Sequence, residues 1–303
     1  MLSMDMIKKY SYDCNIRQFQ DIEGYSHMKR GITDSGNVII KELKFDCERL
    51  DFLELIYSEI ENFKGVSSPI KNYEGENISR SNGCGVLVFK ELKENDRFVP
   101  AKWWVEVLQR LHTIESFWQY KEIVISNHLQ EVNALMSSAK KYMEQDIRYF
   151  VEKMLNKINW KLKKIGRVVL NHGDALNSNV MKNNDEFILI DFENAQIVPK
   201  EYDIQRKLWD EAIEIEEINE TIDFYKDFKA AYEKFQKIDM GLLANLYIID
   251  FCKTLCWLYI VSMDEKRDDC ERQKIERNHF VDAVRKGKIE AVLNIIEKEV
   301  GEC

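Results

Sequence analysis

The sequence predicts an α+β protein with a small mixed N-terminal part and a larger, mostly helical C-terminal part. Short β-like runs at residues 37–43 and 85–89 enclose a helical pattern, and apolar residues follow helical spacing from Pro100 onward. Only 3 Pro and 12 Gly interrupt the 303 residues. A chain of this length can form two lobes, and we expect one over residues 1–91 and the other over residues 92–303.

The N-terminal part has the pattern strand, helix, strand. Turn residues at 34–37 lead into the first β-like run, and the second ends at Phe89. Between the two runs, apolar residues recur at the spacing of one buried helix face, namely at Leu53, Ile56, Tyr57 and Ile60. We therefore expect a helix that packs one face on a small sheet.

The C-terminal part is helical except in one central segment. Helical patterns cover residues 103–111 and 125–165, and they return after Pro199 and continue to the end. Residues 167–170 form a short β-branched run, and residues 179–191 have the pattern of a hairpin with a polar turn at 183–185. We therefore expect the functional residues in the non-helical segment from 167 to 199.

Composition and charge restrict the class of partner. The chain has 44 Lys and Arg against 53 Asp and Glu, a net charge of −9, which argues against nucleic-acid binding and against a polybasic membrane anchor. The apolar run 241–263 is interrupted by Asp250 and Lys253, which favours a buried helix over a membrane span. Seven cysteines without a C-x-x-C pair, and no signal-peptide pattern, predict a reduced cytoplasmic protein.

Polar residues with a specific spacing lie at the strand ends of the central segment. Asp174 follows the first short strand, Asn179 comes five residues later, and Asp191 ends the next apolar strand. An Asp in a turn often only caps backbone groups, but the whole combination has the parts that phosphoryl transfer needs. One carboxylate can orient an attacking hydroxyl, and an amide with a second carboxylate can hold Mg²⁺.

Two sequence segments resemble the catalytic and metal motifs of the aminoglycoside phosphotransferase/choline kinase family. These segments are His-Gly-Asp-Ala-Leu-Asn-Ser-Asn-Val at 172–180 and Ile-Asp-Phe-Glu-Asn-Ala at 190–195. The resemblance implies a bilobal protein-kinase-like fold and an ATP-dependent kinase that acts on a small molecule. The match to the family is close over about residues 167–203, weaker but in the same order back to residue 24, and no longer clear after residue 210.

The resemblance implies a role for each matching residue of the central segment. Asp174 corresponds to the catalytic Asp, and Asn179 and Asp191 correspond to the Mg²⁺ ligands. His172 corresponds to the scaffolding His of the catalytic loop, and Asp203 to a structural Asp near the start of the next helix. ATP is the expected phosphate donor, and GTP stays open as an alternative.

In the N-terminal part the resemblance implies a nucleotide site. Ser26 lies in a run that resembles the phosphate-covering hairpin, although the run lacks G-x-G-x-x-G, and Lys41 corresponds to the strand Lys that contacts the phosphates. The family pairs this Lys with a Glu on the following helix, and among Glu48, Glu54, Glu59 and Glu61 we choose Glu54 as the expected partner. Phe89, Lys90 and Glu91 resemble the hinge that meets adenine through backbone groups.

The expected acceptor is the hydroxyl of a small molecule. Asp203 comes only 12 positions after Asp191, and no A-P-E sequence follows, whereas protein kinases place a long peptide-docking segment there. An acidic run at 210–217 would suit a cationic acceptor such as an aminoglycoside, and the aromatic residues Trp209, Trp257 and Tyr259 would suit choline. Such runs are more often solvated faces and core residues, so the acceptor stays open.

Two classes of function follow from these observations. The first is a small-molecule kinase with aminoglycoside-like, amino alcohol or sugar-like acceptors, acting as a monomer or homodimer. The second is a kinase-like structural or assembly protein of the spore-coat type, suggested by the segment 41–52. Retention of Lys41, Asp174, Asn179 and Asp191 favours the kinase.

Overall fold

A computed structural model describes residues 16–22, 25–81, 84–94, 98–114, 125–158, 168–267 and 269–302. The described chain forms two compact units. One contains the residues up to Phe98 together with Ser178–Glu193, and the other contains Val99–Asn177 together with the residues from Asn194 onward. The hairpin of the central segment thus groups with the N-terminal residues, whereas the sequence-based division at residues 91 and 92 stays a prediction.

The described chain contains the following strands and helices. The strands are β1 (Gln18–Ile22), β2 (Tyr25–Thr33), β3 (Gly36–Leu43), β4 (Ser79–Ser81), β5 (Cys84–Lys90), β6 (Lys93–Glu94), β7 (Val168–Asn171), β8 (Val180–Asn183), β9 (Glu186–Leu189) and β10 (Gln196–Pro199). The helices are α1 (Cys47–Ile60), α2 (Ala101–His112), α3 (Ile125–Ala139), α4 (Gln145–Asn156), α5 (Glu201–Glu214), α6 (Ile218–Tyr232), α7 (Met240–Val261), α8 (Cys270–Arg285) and α9 (Lys288–Glu302). Strands β3, β5, β7, β8 and β9 correspond to the β-like runs of the sequence.

The first unit is built on an antiparallel five-stranded sheet in the order β1-β2-β3-β5-β4. Alternate residues of β3 and β5 bury one face of this sheet, where Val38, Ile40, Val86 and Val88 pack together. Since Lys41 follows Ile40 directly, it extends from the opposite face. The pleat of β3 therefore places the Lys41 side chain on the face opposite this apolar cluster.

Asp46 caps the N-terminus of helix α1, and its side chain accepts a hydrogen bond of 2.8 Å from the backbone N–H of Arg49. Its buried residues include all four apolar positions that the spacing predicts, which confirms that interpretation. A second sheet of the same unit has the order β6-β8-β9, and its antiparallel β8–β9 pair is the predicted hairpin. Asn184, at the turn, takes a φ of +56°.

The second unit is organised around α7, which packs against α3, α4, α5, α8 and α9. Most of the 22 residues of α7 are buried, in agreement with the prediction of a buried helix. By length and composition α7 could also cross a membrane, but 72% of its apolar window is buried within the protein. Strands β7 and β10 form a separate antiparallel pair, and the sequence pattern indicated only the first of them.

Two cysteines of α7, Cys252 and Cys256, should react only slowly with alkylating reagents in the folded protein. Burial raises the pKa of the Cys256 thiol to about 12 and raises that of Cys252 well above its usual range. We expect iodoacetamide at pH 8 to alkylate exposed Cys47 at least tenfold faster than Cys252 and Cys256, with the rates followed by peptide mass spectrometry. Equal rates in native protein would contradict this burial, and equal rates after denaturation serve as the control.

Candidate functional site

One buried carboxylate fixes the backbone of the loop that precedes Asp174. Asp203, in the first turn of α5, is fully buried and accepts hydrogen bonds from the N–H groups of His172 (2.7 Å) and Gly173 (2.9 Å). The N–H of Asp203 in turn donates to the side-chain oxygen of Asn171 at 3.1 Å. A buried charge needs such partners, so these bonds hold the loop against α5.

The two histidines near this loop have structural contacts. The N–H of Asp174 donates to Nδ1 of His172 at 3.2 Å, so the His172 side chain supports the backbone of the loop. His112 is buried, with Nδ1 at 2.6 Å from the Tyr232 hydroxyl and Nε2 at 3.4 Å from Oδ2 of Asp203. His112 is therefore a core residue with two hydrogen-bonding partners.

Gly173 lets the loop pass close to another backbone segment. Its φ is +79°, in the left-handed region, and a Cβ at this position would lie 2.0 Å from the carbonyl oxygen of Asn194. No side chain fits there. The glycine between His172 and Asp174 is therefore required by both conformation and space.

The carboxylate of Asp174 is held by a residue that the sequence analysis did not single out. Arg206 donates from Nε (3.1 Å) and Nη2 (2.7 Å) to Oδ1 of Asp174. Arg206 also contacts Asp250, one of the two charged residues that interrupt the apolar run of α7. That interruption was the available signal, because a carboxylate inside a buried helix requires a cationic partner.

The acidic run after Asp203 divides into buried and solvated residues. Asp210 and Glu211 pair with fully buried Lys207, whose Nζ lies 2.8 Å and 2.6 Å from their carboxylate oxygens. The same Nζ donates to the side chain of Asn177 at 2.7 Å, so these charges support the end of the loop. The remaining acidic residues of the run, Glu214, Glu216 and Glu217, are exposed.

The aromatic candidates do not form a cage. Trp209 is buried and packs against Phe251 and Phe280, with ring centroids 6.4 Å and 5.3 Å away. Tyr259 is also buried and its hydroxyl contacts Glu144, whereas Trp257 is partly exposed. Trp209 and Tyr259 therefore belong to the core of the second unit.

In the first unit Lys41 pairs with two carboxylates. Its Nζ lies 3.0 Å from Oδ2 of Asp191 and 2.7 Å from Oε1 of Glu193. Burial alone would lower the pKa of Lys41, but these two carboxylates outweigh it and raise the pKa. Burial raises the pKa of Glu193, although the ammonium of Lys41 acts in the opposite direction.

The expected pairing of Lys41 with Glu54 requires correction. Glu54 accepts hydrogen bonds from the N–H and side-chain amide of Asn77, each at 2.9 Å, and from the N–H of Ile78 at 2.8 Å. These bonds tie α1 to the segment before β4. Glu193, two residues after Asp191, takes the place of a helix carboxylate because it lies beside the Lys41 ammonium.

The hairpin brings the two predicted metal ligands to one end. Asn179 ends a 3-10 turn just before β8, and its carbonyl oxygen accepts a 2.9 Å hydrogen bond from the N–H of Ile190. Asp191, the next residue, has a φ of +67°, which is uncommon for a residue with a side chain. The fold thus holds Asp191 in an uncommon backbone conformation, one residue beyond the hydrogen bond between Ile190 and Asn179.

The donor set at this end fits a hard cation. Oδ1 of Asp191 is buried and has no hydrogen-bond partner among the described residues, which is costly for a carboxylate oxygen. Within the described part of the chain, no three His, Cys, Asp or Glu side chains form a metal-holding group. One carboxylate and one amide suit Mg²⁺, which keeps several ligands from water or phosphate.

The structure describes only some of the other residues that are predicted to contact the nucleotide. Ser26 lies in β2, and its side chain is outside the described part of the structure, as is Gly24. Phe89 and Lys90 end β5, and the ring of Phe89 contacts Tyr57 at 5.9 Å. The N–H of Glu91 donates to the carbonyl of Asn37 at 3.0 Å, so this group of the expected hinge is used within the unit.

Substitution of Gly173 should test the close approach in the loop. We expect Gly173→Ala to lower the free energy of unfolding more than Gly75→Ala, by at least about 2 kcal/mol, because Ala at 173 forces the backbone apart. Gly75 is the matched control, since its φ is +84° but a Cβ there meets nothing within 4 Å. Urea denaturation measures both, and equal losses would contradict the contact with Asn194.

Comparisons with known proteins support the fold. Neither a protein-family model nor a curated protein sequence matches the chain. Solved structures do match. Spectinomycin phosphotransferase, solved with ADP and spectinomycin, is 14% identical and covers 98% of this chain and 99% of its own, with a TM-score of 0.66.

Two further structures are related in the same way. An amicoumacin kinase solved with AMP-PNP and Ca²⁺ is 14% identical, with coverage of 95% of this chain and 94% of its own and a TM-score of 0.62. Choline kinase from Streptococcus pneumoniae is 15% identical, with coverage of 95% and 99% and a TM-score of 0.60. The chain therefore has the α+β protein-kinase-like fold that aminoglycoside phosphotransferases and choline kinases share, as the sequence resemblance predicted.

Proposed function

We propose that this protein is an ATP-dependent phosphotransferase that moves the γ-phosphoryl group to a hydroxyl of a small molecule. The observation that carries the proposal is the pairing of Lys41 with Asp191, 150 residues apart in sequence, beside an unpartnered buried oxygen of Asp191. A cation and a carboxylate held in this way suit phosphate and metal binding, respectively. The shared fold supports the same class of reaction.

Each residue has a definite task in this proposal. Lys41 binds phosphate oxygens, and Glu193 keeps its ammonium in position. Asn179 and Asp191 would hold Mg²⁺, which when bound neutralises phosphate charge and orients the donor. Asp174 accepts a hydrogen bond, and then the proton, from the acceptor hydroxyl at its carboxylate.

The acceptor is proposed to be a small molecule and not a peptide. Between Asp191 and Asp203 the chain forms a 3-10 turn over Phe192–Asn194 and strand β10, and α5 begins directly afterwards at Glu201. These residues therefore leave no long segment on which a peptide could dock. We propose a cytoplasmic location, since the described cysteines are free thiols.

Binding of Mg-ATP gives the first test. A ligand that binds the native state raises its stability, so Mg-ATP should raise the Tm by several degrees. ATP consumption over a panel of aminoglycosides, choline, amino alcohols and sugars then identifies the acceptor. A Tm shift without turnover on any acceptor would favour the kinase-like assembly protein, and no shift and no turnover would contradict the nucleotide site.

Asp174→Asn should separate catalysis from nucleotide binding. The substitution keeps the shape of the side chain but removes the charge that orients and deprotonates the hydroxyl, so we expect kcat to fall by a factor of about 10² or more. Affinity for Mg-ATP, measured by calorimetry, should stay within about threefold of wild type. Loss of ATP binding would move Asp174 to the metal ligands, and unchanged turnover would assign the proton transfer to another residue.

Asp191→Ala should abolish the Mg²⁺ dependence of nucleotide binding together with turnover. The physical reason is that Asp191 supplies the metal's main anionic ligand in this proposal. The matched control is Asp185→Ala in the exposed turn of the same hairpin, which should leave both properties at wild-type values. Calorimetry with ATP in the presence and absence of Mg²⁺ measures the effect. Wild-type turnover in Asp191→Ala would show that the metal assignment is wrong.

A further inference from the structure

We propose that Arg206 is the positioning residue for the Asp174 carboxylate, and that Asp250 anchors Arg206 for this purpose. The inference rests on the proposed function, in which Asp174 receives the proton of the acceptor. It goes beyond it by assigning roles to two residues outside the motifs. All three residues lie in the second unit, on the catalytic loop, α5 and α7.

The contact between Arg206 and Asp174 restricts the direction of the carboxylate. Two guanidinium nitrogens, Nε at 3.1 Å and Nη2 at 2.7 Å, donate to the same oxygen, Oδ1. A single donor would allow the carboxylate to rotate about one bond, whereas the rigid planar guanidinium fixes two directions at once. With Oδ1 held in this way, the direction of Oδ2 is also determined.

The opposite edge of Arg206 is anchored in the core. Its Nη1 lies 3.1 Å and 2.9 Å from the two oxygens of Asp250, which is almost fully buried in α7. Asp250 also accepts from Nε2 of Gln205 and Nε1 of Trp209, each at 3.1 Å. The guanidinium also lies over the Trp209 ring, 5.1 Å from its centroid, and this contact further restricts its orientation.

Arg206 and Asp250 stabilise each other in their charged forms. Burial would lower the pKa of Arg206, but Asp250 and Asp174 outweigh it and raise the pKa. Burial would raise the pKa of Asp250, and Arg206 with the two neutral donors lowers it instead. The three residues thus form an anion–cation–anion series with the cation at its centre.

The exposure of the three side chains indicates a role beyond stability. Asp250 is 6% exposed, Arg206 is 17% exposed and Asp174 is 21% exposed. Asp250 alone would compensate the charge of Arg206, so the fold does not require Asp174 as a second partner. The next residue of α5 has a similar contact with the same loop. Lys207 donates a hydrogen bond to the side chain of Asn177, as Arg206 does to that of Asp174. Consecutive residues of α5 therefore secure both ends of the loop 174–177.

A structural and a positioning role can be separated with three variants. Arg206→Gln leaves Asp250 buried without a cation and should lower the Tm strongly. The double variant Arg206→Gln/Asp250→Asn removes both charges and should recover most of the lost Tm. Arg285→Gln, which removes an exposed pair with Asp146, is the control. Each is assayed for kcat and KM with Mg-ATP and the acceptor found in the panel.

We expect the double variant to regain stability but not turnover. Its kcat should stay at least tenfold below wild type, while KM for ATP stays within about twofold, because only the orientation of Asp174 is lost. Added methylguanidinium should restore part of kcat in an Arg206→Ala/Asp250→Asn variant. Arg285→Gln should match wild type in all these measurements.

The alternative outcomes are distinct. If the double variant regains both Tm and kcat, Arg206 is only structural and the inference is wrong, while the proposed function stands. If the loss falls on KM for ATP instead of on kcat, Arg206 acts on the nucleotide and the inference is also wrong. If wild-type protein turns over no acceptor, the proposed function and this inference fail together.

Discussion

The hydrogen bonds to the Asp203 carboxylate are the interaction on which the loop over residues 172–177 depends. This carboxylate is fully buried, and the hydrogen-bond donors that compensate it include two successive backbone N–H groups of the loop, at His172 and Gly173. Because a buried charge without donors is costly, the loop cannot leave α5 without a large loss of stability. The same bonds hold Gly173 at its positive φ, and Asp174 follows in a fixed place.

Helix α5 extends this constraint to the side chains. Asp203, Arg206 and Lys207 lie three and four residues apart, so they share one face of the helix. This face holds the loop backbone, the Asp174 carboxylate and the Asn177 side chain in turn. One helix therefore determines the geometry of the loop over residues 172–177, and the long core helix α7 stabilises it through Asp250.

In the first unit the comparable constraint is the backbone at Asp191. A positive φ and a buried oxygen without a partner both cost free energy, and such costs concentrate at functional positions. Lys41 compensates part of the cost at the other carboxylate oxygen. The expected helix partner, Glu54, instead satisfies backbone N–H groups at Asn77 and Ile78, so the role of the second carboxylate falls to Glu193.

The sequence by itself determined what depends on local spacing. The period of its apolar residues predicts the buried face of α1 and the burial of α7, and the turn residues predict the β8–β9 hairpin, which brings Asn179 opposite Ile190, the residue before Asp191. Only the tertiary structure decided which distant charges meet. Arg206 with Asp174 and Asp250, and Lys41 with Glu193, are pairs formed by packing between elements far apart in the chain. Local periodicity shows which face of an element is buried, but the partner of a buried charge depends on which other element covers that face.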